Sequence, residues 1–173
     1  MKQAKAAEVA AKADATVQMK TANANDTSAA ETLARVRLAQ KRPEEAVASL
    51  RELAAVNPNP RLLYLLAQSS GLSADYAAFE KSALSHAAKP GHANRELALY
   101  LAGKGAKPAQ AVQVARKEAE RKGDVYTQDA LAVALFANGE AAEARTIMQA
   151  VLAVGTQDPE ILAHAAKLGV KAE

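Results

Sequence analysis

The chain has 173 residues, 24% of them charged, a formal net charge of +3 and no cysteine. That length holds one domain or one run of repeats with enough chain for a real core. The composition excludes collagen-like, low-complexity and disulfide-rich classes. Alanine fills 45 positions, Tyr and Phe together only six, and Trp none. Thin side chains of this kind suit closely approaching helices and suit a β-sandwich poorly.

In chain order, residues 3–20 read as an alanine-rich helix with Val9, Ala13 and Val17 on one side. Asn23–Asp26 reads as a linker, so 1–26 form a cap or the tail of an earlier repeat. Lys2, Lys5, Glu8, Lys12, Asp14 and Lys20 stand where a signal peptide needs an apolar stretch, and no run reaches the length of a membrane span. Ser28-Ala-Ala-Glu31 has the form of a capping box before Leu33, Val36 and Leu38. Pro43, at a first helical position, is followed by the dipole-favoured acids Glu44 and Glu45. The stripe Ala46, Val47, Leu50, Leu53, Ala54 then runs to Asn57-Pro58-Asn59-Pro60. A helix with Leu62, Leu63, Leu65 and Leu66 turns at Gly71-Leu72-Ser73 into one carrying Tyr76, Phe79 and Leu84, which ends at Pro90-Gly91. Leu97 and Leu101 mark the next helix, followed by a turn at 103–107 and a helix opened by Pro108. Leu131 and Leu135 lead to Asn138-Gly139-Glu140, then to a helix with Ala144, Met148, Val151 and Leu152 that runs to Gly155. Asp158 caps a last helix, with Pro159 in its first turn, through Ile161, Leu162 and Leu168 to Gly169.

The spacing organises these elements. Ala46, Ala78, Ala111 and Ala144 each lie a few residues into the second helix of a pair, at separations of 32, 33 and 33. A period near 33 is a repeat signature. So short a helix pair cannot bury its apolar stripe alone; stacking on a neighbour buries it, and small residues at the crossing allow close approach. The competing arrangement is an up-and-down helical bundle with coincidental spacing. The expected fold is all-α, an α-solenoid of stacked helix-turn-helix units. Four repeats (27–58, 59–91, 92–124, 125–157) and a capping helix at 158–168 make up 27–168, and 169–173 are a tail.

Over 27–168 the chain resembles the tetratricopeptide repeat (TPR) family, and within it bacterial multi-repeat proteins. The last repeat carries Leu131, Ala132, Leu135, Gly139, Ala144, Met148 and Val151 where that family's pattern wants them. The first offers Leu33, Ala34, Ala46, Leu50, Leu53 and Pro58, and the third Leu97, Leu101, Ala111 and Ala115. The second is the most degenerate, with Ser82 at a position that takes a large residue. The resemblance implies a right-handed superhelical solenoid with a concave face lined by the first helix of each pair, where the family grips peptides or protein segments. Projected onto this chain, that face comprises Glu31, Arg35 and Leu38, then Leu63 and Ala67, then Glu96, Tyr100 and Lys104, and finally Tyr126, Asp129, Val133 and Phe136. Tyr100 and Phe136 read equally well as plugs between neighbouring helices. The basic clamp with which some relatives hold a terminal carboxylate has Glu31, Leu63, Glu96 and Asp129 at its positions. A partner bearing Lys or Arg is therefore expected over an acidic one.

Motifs for chemistry are missing. His86, His92 and His164 show no ligand spacing, and without cysteine a metal site would need a carboxylate cluster. Gly103-Lys104-Gly105 lacks the phosphate-loop spacing, and Ser69, Ser70, Ser73, Ser82 and Ser85 lack a nucleophile elbow. The run Arg116–Lys122 mixes signs at helical spacing and reads as a solvated face, with Glu118 and Lys122 an i,i+4 pair. With 22 basic residues spread among 19 acids, no basic block marks nucleic-acid binding. The expectation is a non-enzymatic protein-interaction module without cofactor or metal, in the cytoplasm or periplasm. The alternative is a scaffold segment of a larger bacterial assembly acting through its ends and convex face, with self-association through the C-terminal helix.

Overall fold

The computed structural model describes residues 27–89 and 94–171. Among them are nine α-helices and no strand. They are α1 (Thr27–Ala39), α2 (Pro43–Val56), α3 (Pro60–Ser70), α4 (Ser73–Ala87), α5 (Arg95–Ala102), α6 (Pro108–Ala119), α7 (Val125–Ala137), α8 (Ala141–Ala153) and α9 (Pro159–Leu168). The expected helix at 3–20, its linker, His92 and the Pro90-Gly91 stop lie outside the described residues. Among the described residues no helix is long and apolar enough to cross a membrane.

Local chemistry sets the helix boundaries. Pro43, Pro60, Pro108 and Pro159 open helices at positions whose N–H would have no partner anyway. Four side chains cap N-termini: Asn59 accepts from Leu62 N (3.0 Å), Asn94 from Leu97 N (3.2 Å), Asp124 from Thr127 N (3.0 Å) and Asp158 from Glu160 N (2.9 Å). At Gly71 the backbone turns left-handed (φ 68°), which ends α3 and would strain any side chain. The described part of α1 begins at Thr27, and the carboxylate of Glu31, the last residue of the expected capping box, reaches Arg61.

The chain divides into two compact units, 1–79 and 80–173. In the first, α2 packs on α1 and α3, and α1 also meets α3. Its core joins Ala34, Ala46, Leu50, Leu62, Leu65 and Leu66, with Leu38, Val47, Leu53 and Ala54 against them. Tyr64 and Phe79 stack tilted, their ring centroids 4.9 Å apart. In the second unit α6 packs on α5 and α7, α5 on α7, α7 on α8, and α9 on both α7 and α8. So these neighbouring helices pack within each unit, and the first helices α1 and α3, α5 and α7, and α7 and α9 also touch. Ala111, Ala115, Ala130, Ala132, Ala134 and Ala144 are buried there, as close helix approach requires.

The repeat register slips once. Ala46, Ala111 and Ala144 are fully buried, but Ala78 is exposed; Phe79, one residue later, takes the buried place and Ala83 the next one. The shift follows from ring size: Phe79 gains far more from burial than a methyl group does. Counted through Phe79, the separations become 33, 32 and 33. Ala83, not Ser82, therefore occupies the inner position of α4.

Candidate functional site

The residues projected onto a first-helix face fall into three groups. Leu38 packs against the first unit's core, and Leu63 and Ala67 are buried on α3, a helix covered on most of its sides. They are core residues, not the lining of an open groove. Glu31 and Asp129 are also buried, each held by a base on another first helix. The Glu31 carboxylate lies 2.8 Å from Arg61 Nε, linking α1 to α3. Both oxygens of Asp129 lie within 3.0 Å of His164 Nδ1, linking α7 to α9. A buried carboxylate costs heavily unless paired, so these contacts are conditions for its burial.

Tyr100 is a plug. Its hydroxyl donates to Glu80 Oε2 (3.0 Å) on α4, while Lys107 Nζ donates to Glu80 Oε1 (3.1 Å). The 103–107 turn lies on the ring so closely that a Cβ at Gly105 would sit 3.1 Å from Tyr100 Cε1, which is why glycine stands there. Glu80 titrates below the usual carboxylate range. The Lys107 hydrogen bond is the main cause; partial desolvation opposes it and the Tyr100 hydroxyl adds to it.

Part of the face is open in the second unit. Tyr126, in the first turn of α7, is 44% exposed, and the Arg95 guanidinium sits over its ring, 4.8 Å from the centroid. Burial of Arg95 works against its charge, yet its pKa is raised, because Glu96 by charge and hydrogen bond, with Glu160 and Asp124 by charge, more than offset that burial. Arg95 Nε donates to Glu96 Oε1 at 2.8 Å. One contacting carboxylate and the charge of two further acids thus favour one guanidinium beside an exposed phenol. Val133 and Phe136 are half-buried further along α7, and Arg35 and Lys104 are exposed.

Sequence reasoning missed Arg95, Glu80, His164 and Glu118. The first three act between helices, on partners 27 to 35 residues away that no local pattern marks. Glu118, expected on a solvated face, is buried on α6 where α2 has Leu53 and α8 has Val151. Its oxygens reach only to 3.8 Å from Arg121 and 3.7 Å from Lys122, and the buried Oε2 has no hydrogen bond. Helical spacing to Lys122 was read correctly; which side of α6 faces inward was not.

Among the described residues no group of three or more His, Cys, Asp or Glu side chains could hold a metal ion. The arrangement sets an exposed ring face beside a guanidinium whose charge the neighbouring acids favour. Compared with known proteins, the chain matches no family model and no curated protein sequence.

Proposed function

We propose that the chain is a TPR-like, right-handed superhelical solenoid and a non-enzymatic module that binds a segment of another protein along its first helices. Contacts between consecutive first helices, α1 with α3, α5 with α7 and α7 with α9, together with the period near 33, support the stacked-pair architecture. The observation that carries the binding reading is Tyr126: a large ring left exposed on an otherwise closed helix, with Arg95 already in place over it. Aromatic anchors beside fixed charge are typical of recognition surfaces. The acids Glu96, Asp124 and Glu160 grouped about Arg95 favour a partner segment with Lys or Arg.

A second reading has its own support. Val56, Leu72, Leu84 and Val154 are exposed away from the first helices, as a scaffold acting through its convex side and ends would need. A photo-crosslinking amino acid placed at position 126 or at position 84 separates the two. Adducts with a partner from position 126 alone support the groove. Adducts from position 84 alone would replace it with the scaffold reading.

A further inference from the structure

The second helices carry an ion pair at each of the three junctions between consecutive pairs. Arg51, midway along α2, donates to both carboxylate oxygens of Asp75 in the first turn of α4, at 3.2 and 2.8 Å. Arg116, late in α6, reaches Glu140 just before α8 (3.4 Å) and Glu143 in its first turn (3.1 Å). Both junctions run from a base on the earlier helix to an acid at the start of the later one. The middle junction is reversed: Glu80 on α4 accepts from Lys107, the residue just before α6, at 3.1 Å. Lys107 and Glu140 hold the same place in the repeat, each the N-cap of its helix and 33 residues apart. The helix dipole favours acids at an N-terminus and disfavours lysine there, so local electrostatics does not account for the reversal.

We propose that the reversed middle junction suppresses docking errors in which one helix pair is skipped. Chains of similar hairpins misassemble readily, because non-neighbouring units offer similar apolar surfaces. Here three of the second helices present the same fully buried alanine, at Ala46, Ala111 and Ala144, so apolar packing discriminates poorly between them. Charge discriminates well. If the first pair docked on the third, Arg51 would meet Lys107; if the second docked on the fourth, Glu80 would meet Glu140 and Glu143. Each correct neighbour attracts and each single skip repels, which turns a modest ion pair into a selection rule. The inference rests on the stacked-pair reading.

The test uses E80K, K107E and the double exchange E80K/K107E. The double exchange keeps an ion pair at the middle junction but makes both skipped dockings attractive. Thermal midpoints, refolding yield from urea and the dimer or aggregate fraction after refolding are measured on the full chain. Each single variant lowers the midpoint and the double restores most of it. The double nevertheless refolds with a misassembled fraction about two-fold or more above the wild type. Refolding the wild type in roughly 1 M salt, where such charges are screened, raises its misassembled fraction towards the same level. A double exchange that restores the midpoint and refolds as cleanly as the wild type overturns the proposal while leaving the stacked pairs intact. Single effects that simply add in the double remove the Glu80–Lys107 contact, and the proposal with it.

Discussion

The two units fill their interiors with different chemistry. The first closes on branched and aromatic bulk, Leu50, Leu62, Leu65, Leu66 and Phe79, and its buried acids Glu31 and Asp75 are met by arginines that remain largely in solvent. The second sets buried alanines among bulk of its own, Leu97, Leu101, Leu135, Met148 and Ile161, and takes inside it Asn94, Glu118, Thr127 and Asp129. Bulk makes an interior sensitive to cavities. Thin packing lets backbones approach but leaves polar groups to be satisfied within a narrow space, so that interior depends on its pairs. Stability in the first unit should follow volume, and in the second it should follow hydrogen-bond partners as well as volume.

The largest expected break in that contrast is in the first unit. Phe79→Ala should cost about 3–5 kcal/mol and Leu62→Ala about 2–5 kcal/mol in urea unfolding. A loss under 1 kcal/mol for Phe79→Ala would return the buried place on α4 to Ala78. In the second unit Asp129→Ala removes almost no volume-filling contact but strands the half-buried His164, and should cost roughly 1–3 kcal/mol. Together with His164→Ala the two losses should be markedly less than additive; full additivity would mean that the pair does not hold α9 on α7. Glu118→Leu goes the other way. Replacing a poorly paired buried carboxylate by the residue type that α2 carries at that place should raise stability by about 1 kcal/mol. A lower urea midpoint for this variant would show that Arg121 and Lys122 depend on the acid.

Acid titration gives the smallest effect. Because the folded state depresses the Glu80 pKa, the contribution of this group is fully present above the ordinary carboxylate range and is lost as pH falls through the depressed value. The urea midpoint of the wild type should therefore fall more steeply than that of Glu80→Gln below about pH 4. Parallel curves would detach Lys107 and Tyr100 from Glu80.

Helix existence and most boundaries were legible because they rest on local chemistry: Pro43, Pro108 and Pro159 at first positions, Asp158 as a cap, Gly71 and Gly169 as stops. The register of α4 was not. Ala77, Ala78 and Ala83 make several faces of that helix look equally suited to burial, and only the neighbours of Phe79 decide between them. Of the projected face, Tyr126, Arg35 and Lys104 are exposed. The acids misled, because a carboxylate in sequence carries no sign of a base such as His164, 35 residues away, that will claim it.

Since the chain has no cysteine, thiol labelling of A46C, A78C, A83C, A111C and A144C, one at a time, tests the stacking of helix pairs most directly. Stacked pairs with one slip in register predict that A78C labels as fast as an unfolded control. The other four should be protected by about 100-fold or more, in line with exposure only through rare opening. Rapid labelling of A111C and A144C in the folded protein, or protection of A78C in place of A83C, would contradict it.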